Sequence, residues 1–316
     1  MRPGAVLSAL FLVALLFVLI KVSYAKKSLV VNNQQTDQHL SILHQGRERY
    51  FTTHFPAGLK KRSGLPAVIV LHGGGGTPQS VARLTRFNQL ADRENFIVVY
   101  PQAINRHWND GRAVAEFRSH QEGVDDVGFI NSLIDTLITK FGVDSSRVYA
   151  AGISNGGMMC QRLGREIPHR FAAIATVAAA MPENLASCPA TGTPVPILMI
   201  HGTADRVVPF HGGVVALSRP RGRVLGVEQT LAFWVNWNRC APLPADTWLT
   251  EPGGSLPVKL TVYKNHRNGV RVVLYTVVNG GHTWPGGRRR PVVFGKKTDA
   301  INATAIIWEF FQGHRR

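Results

Sequence analysis

Apolar residues in this chain cluster into short runs rather than long ones. Ala67 to Leu71, Phe96 to Tyr100, Arg147 to Ala151, Ala173 to Val177 and Pro196 to Ile200 each hold a continuous apolar or β-branched core. Runs of that length without polar alternation predict strands covered on both faces, as in a parallel sheet. Between them the spacing changes to that of helices. Val81 to Arg93, Val127 to Phe141, Val227 to Arg239 and Ala300 to Phe311 carry apolar residues on one stripe, such as Phe129, Ile130, Leu133, Ile134, Leu137 and Ile138. Strands alternating with helices predict an α/β fold with a doubly wound, mostly parallel central sheet flanked by helices. His39 to His54 alternates around Gln45-Gly46 and predicts a β-hairpin. Two later strands are expected at Val258 to Tyr263 and Arg271 to Val277.

One apolar stretch is different. Ala5 to Ile20 follows Arg2 and precedes Ser23-Tyr24-Ala25. This order of charge, apolar run and small residues predicts a secretory signal peptide over residues 1–25, with an uncleaved anchor as the other reading. Residues 26–316 are then expected to form a single catalytic domain, because no repeat and no Ser/Thr/Pro-rich linker interrupts them. Export implies a secreted or periplasmic protein. The net charge of +17 suits a loose attraction to anionic polymers, but the basic residues are scattered and no nucleic-acid motif accompanies them. Of three cysteines, Cys160 falls on an expected buried helix. Cys188 and Cys240 are the candidate disulfide, with two free thiols as the alternative. No pair of cysteines has zinc-ligand spacing, and no metal is expected.

The chemistry enters at Gly152-Ile153-Ser154-Asn155-Gly156. With 31 glycines the bare pattern is weak, but here it stands between a strand and a helix. That context predicts a nucleophile elbow, in which Ser154 sits on a sharp turn with its hydroxyl exposed above a helix N-terminus. A serine needs a base, and the base needs an orienting acid. His282 follows the last strand in a glycine-preceded loop. Asp205 follows the strand ending at Ile200. The order Ser154, Asp205, His282 excludes His72 and His201, which precede the serine or the acid. The backbone N–H groups of Asn155 and of Gly73 and Gly74, in His72-Gly73-Gly74-Gly75-Gly76, are the candidate oxyanion hole. Trp108 and Trp284 are candidate substrate-binding walls, with core packing as the alternative. Asp125 and Asp126 open a helix, where carboxylates suit the dipole.

Together with Trp108-Asn109-Asp110, Val124-Asp125-Asp126-Val127-Gly128-Phe129, His201-Gly202-Thr203-Ala204-Asp205 and Gly281-His282-Thr283-Trp284-Pro285, these motifs resemble the α/β-hydrolase esterases that include polyhydroxybutyrate depolymerases and feruloyl esterases. The resemblance runs from about residue 40 to the end. It implies the α/β-hydrolase fold and cofactor-free ester hydrolysis through an acyl-enzyme, with Ser154, Asp205 and His282 matching the family's triad. The implied substrate is an oligomeric hydroxyalkanoate or a plant polysaccharide ester. Depolymerases of this kind often carry an appended substrate-binding domain; its absence here favours soluble or short esters. A serine peptidase on the same triad, and a basic exported binding protein with a vestigial site, are the alternative readings.

Overall fold

The computed structural model describes residues 36–57, 64–187, 192–216, 218–250 and 256–316. The expected signal segment and Cys188 lie outside them. The structure opens with the predicted hairpin, β1 (Asp37–His44) and β2 (Arg47–His54), which pair antiparallel around Gln45-Gly46. Four buried strands follow at the predicted places: β3 (Ala67–Leu71), β4 (Ile97–Pro101), β5 (Val148–Ile153) and β6 (Ala173–Val177). They are joined by β7 (Ile197–Gly202). A two-stranded hairpin comes next, β8 (Gly213–Ala216) and β9 (Pro220–Val224). The chain ends its strands with β10 (Ala245–Trp248), β11 (Val258–Lys264) and β12 (Arg271–Val277). Ten strands make one sheet in the order β1-β2-β4-β3-β5-β6-β7-β12-β11-β10. The six from β4 to β12 run parallel, and the flanking pairs are antiparallel.

Among the described residues, six helices of eight residues or more flank the sheet: α1 (Pro78–Thr85), α2 (Phe87–Glu94), α3 (Asp126–Phe141), α4 (Asn155–Glu166), α5 (Val227–Trp237) and α6 (Ala303–Gln312). The unbroken apolar runs are explained by burial on two sides. In β3, Ala67, Ile69 and Leu71 face a core with Phe129, Leu133, Leu163 and Trp234 from α3, α4 and α5. Val68 and Val70 face another with Val81, Phe87, Leu90, Ile307 and Phe311 from α1, α2 and α6. Cys160 lies fully buried in the first of these cores, and burial pushes its thiol pKa up.

Two features depart from the sequence reading. The single helix expected from Val81 to Arg93 is broken at Arg86, whose backbone turns left-handed at φ 59°. In one continuous helix Phe87 would lie about 120° away from Val81. The break realigns Phe87, Leu90 and Ala91 onto the core. The hairpin β8-β9 and the exposed edge strand β10 carry too little apolar pattern to be read in advance. Among the described residues no helix is long and apolar enough to cross a membrane.

Candidate active site

β5 runs directly into α4, and Ser154 occupies the junction with φ 57° and ψ −126°. Such a backbone costs about 1–3 kcal/mol and persists only where its surroundings enforce it. Here the Ser154 N–H donates to the Val177 carbonyl at 3.0 Å, and the Ser154 carbonyl accepts the first helical bond from Met158 at 2.8 Å. The two motif glycines permit the crossing. A Cβ on Gly156 would lie 2.3 Å from the Leu71 carbonyl oxygen, and one on Gly152 would lie 2.4 Å from the Gly156 backbone.

Asp205 follows β7 and His282 follows β12, two parallel neighbours in the sheet. Their loops therefore emerge side by side. His282 Nδ1 and Asp205 Oδ2 are 2.7 Å apart, and both side chains are buried. The other carboxylate oxygen accepts from the Val207 and Val208 N–H groups at 2.8 and 2.9 Å. Burial pushes the Asp205 carboxyl up. The charge and hydrogen bond of His282, with His201 and the Val208 N–H, outweigh it and hold the pKa below the ordinary carboxylate value. Ser154 and His282 both face a cavity of about 70 Å³, along with Gly73, Gly74 and Asn155.

The glycine loop after β3 is pinned beside Ser154. A Cβ on Gly73 would stand 3.4 Å from that of Ser154. Gly75 donates to the Arg106 carbonyl and Gly76 to the Gly73 carbonyl, while the His72 ring holds the Gly73 carbonyl at 2.8 Å. His72 Nε2 accepts from the Ala103 N–H at 3.2 Å, so the ring is a neutral brace. Burial pushes its pKa down to about 4. Among the described residues no acceptor takes the N–H of Gly73, Gly74 or Asn155, and all three residues line the cavity.

The tryptophans are not pocket walls. Trp108 is fully buried and donates its indole N–H to the His72 carbonyl at 3.0 Å. Trp284 is fully buried against Phe87 and donates to Thr304 Oγ1. Each indole is wide enough to fill core space and finds its N–H partner there, which leaves neither facing the cavity. The cavity wall is instead made by His107 and Phe117, stacked at 4.0 Å, with Val207, Val215, Phe294, Arg112, Arg221 and Arg290. None of these carried a sequence signal.

The Asn155 side chain also has an unanticipated role. Its oxygen accepts from the Trp108 N–H at 2.8 Å, and its amide donates to the Trp108 carbonyl and to Asp110 at 3.0 and 2.6 Å. Asp110 is buried and forks with Arg112. Asn109 donates its N–H to Asp126 at 2.7 Å, and Asp126 pairs with the buried Arg49 at 2.5 Å. Asp125 caps α3 through the Gly128 N–H. The Asn109-Asp110 and Asp125-Asp126 motifs thus brace the loop that grips Asn155. Cys240 places its thiol 3.9 Å from the Val270 carbonyl, and its expected partner Cys188 lies outside the described residues.

A family model described as esterase PHB depolymerase matches residues 50–191. NocK of Nocardia uniformis subsp. tsuyamanensis, an esterase by name only, is 32% identical over 85% of this chain and 80% of its own length. The chain belongs to the esterase PHB depolymerase family. Within that family it is 28% identical to feruloyl esterase B of Piromyces equi, over 74% of this chain but 42% of that protein. Among solved structures, the acetyl xylan esterase from Aspergillus awamori shares the fold with a TM-score of 0.58 at 17% identity, covering 79% of this chain and 94% of that one. The strand order and these neighbours make this an α/β-hydrolase fold, and the family places the chain among the carboxylic ester hydrolases.

Proposed function

We propose that the protein is a serine esterase working through an acyl-enzyme on Ser154. The observation that carries this is the buried 2.7 Å pairing of Asp205 with His282, on neighbouring loops that share a cavity with the strained Ser154. Asp205 fixes the imidazole with Nδ1 protonated, which leaves Nε2 free to take the hydroxyl proton. The Ser154 oxygen then attacks the ester carbonyl. The resulting oxyanion is met by the N–H groups of Asn155, Gly73 and Gly74, each worth about 3 kcal/mol to the transition state. His282 passes the proton to the departing alcohol. Water, deprotonated by the same imidazole, releases the acid and restores Ser154.

The names of the relatives support a hydroxycinnamoyl or acetyl ester of plant polysaccharide, and the family description a hydroxyalkanoate oligomer, as substrate. Residues 1–25 support export, which N-terminal sequencing of the secreted protein checks. The net charge of +17 supports a loose attraction to anionic polymers.

The test is hydrolysis of 4-nitrophenyl acetate. Ser154→Ala is expected to lower kcat by about 10⁴-fold or more with the fold retained, while the exposed Ser145→Ala leaves it unchanged. Activity that survives Ser154→Ala contradicts the mechanism. Methyl ferulate, acetylated xylan and hydroxybutyrate oligomers, compared side by side, then rank the acyl groups.

A further inference from the structure

The charges around the cavity are one-sided. Arg112, Arg221 and Arg290 line it, and no aspartate or glutamate does. Arg112 is neutralised by its fork with Asp110. Arg221 and Arg290 are not: among the described residues no carboxylate lies within ion-pairing distance of either. The carboxylate whose charge Arg290 feels is Asp205, already committed to His282 and to two backbone N–H groups. Arg290 is held over the Phe294 ring at 3.7 Å and reaches the His282 carbonyl at 3.4 Å. Arg221 stands on β9, with its guanidinium 5.9 Å from the Phe117 ring.

Arg290 also lines a second cavity of about 220 Å³, which shares Gly73 and Gly74 with the first. Its remaining lining includes Val81, Leu84 and Ile153, rimmed by Arg83, Arg288 and Arg289, again without an acid. A neutral ester gives these cations no partner. Placing half-buried arginines without counter-ions beside a reacting centre costs solvation, and an anion entering the site recovers it.

We infer that the ester this enzyme takes carries a carboxylate, received by Arg290 and Arg221 while its carbonyl lies at Ser154. The inference rests on the esterase reading above and narrows its substrate class. Two sources share that chemistry: the free terminal carboxylate of a hydroxyacid oligomer, and the uronate of an acidic polysaccharide. The planar fork of each guanidinium suits bidentate capture of either.

The experiment compares kcat/KM for 4-nitrophenyl hydrogen adipate and for its terminal amide, which differ in charge and little in shape. The wild-type ratio of acid to amide is expected at about 10 or more, the tenfold that one charge-assisted bond provides. Arg290→Gln and Arg221→Gln should each lower that ratio by about 5-fold or more, and added salt should lower it further. The exposed Arg267→Gln, on the β11-β12 turn, is expected to leave the ratio as it is. Because a ratio is read, any general loss from moving the His282 loop in Arg290→Gln cancels. A wild-type ratio near 1, or a ratio that neither variant moves, overturns the anion assignment while leaving the esterase reading intact. Failure to cleave either ester overturns both. Hydroxybutyrate trimer against its terminal amide, and acetylated xylan with and without uronate, then separate the sources; equal rates within both pairs overturn the assignment.

Discussion

His72 shows how one buried side chain ties the site to pH. Its neutral ring braces the Gly73 carbonyl and receives the Ala103 N–H, and burial takes its pKa down to about 4. The unfolded chain binds the proton near pH 6.5, so the native state is favoured above that value. Stability is then lost as pH falls from about 6.5 to about 4, by about 3 kcal/mol from this group alone. His201 is pushed in the same direction by burial and adds to the loss of stability as pH falls below the ordinary histidine value. Asp205 acts lower, since its depressed carboxyl keeps its contribution until pH falls below the ordinary carboxylate range. Urea unfolding at pH 7 and pH 4.5 checks this: His72→Gln is expected to show a smaller difference between the two than wild type, and an equal difference contradicts it. That Ser154, Asp205 and His282 come together was legible in the sequence, because chain order and strand ends bring their loops side by side. The Asn155 side chain, Arg221 and Arg290 were not, because a side chain's partners depend on which loops the fold brings together.

The junction of β5 and α4 is where element geometry is least forgiving. Helix α4 crosses the end of β3 so closely that a single methyl at Gly156 meets the Leu71 carbonyl at 2.3 Å. Gly156→Ala is expected to cost about 3 kcal/mol or more, because the helix must shift off the strand. Gly269→Ala is the contrast: its φ is +74° but its Cβ would meet nothing within 4 Å, so the cost should be about 1–2 kcal/mol from the backbone alone. Urea midpoints of the two variants compare close packing with backbone strain, and equal losses would contradict the packing argument. The same contrast explains which elements the sequence revealed. Strands buried on two sides carry an unbroken apolar signature, and they were read within a residue or two. The hairpin β8-β9 has one buried valine in each strand and hides its role of carrying Arg221 to the site.

Across the molecule, four of the six parallel strands deliver the site's groups to one end of the sheet. His72 to Gly76 leave β3, Ser154 leaves β5, Asp205 leaves β7 and His282 leaves β12, each at the carboxyl end where open α/β sheets bind ligands. Sequence order therefore predicted spatial meeting for these groups, because a parallel sheet converts strand ends into neighbours. The cavity walls came instead from loops after β4 and β7 and from the segment before α6, whose paths no periodicity encodes. In the proposed mechanism this assembly activates one serine. The direct test is a fluorophosphonate probe on the intact protein, followed by mapping of the modified peptide. A single adduct at Ser154 is expected, absent from Ser154→Ala and strongly slowed in His282→Ala. No adduct, or one on another serine, would contradict it.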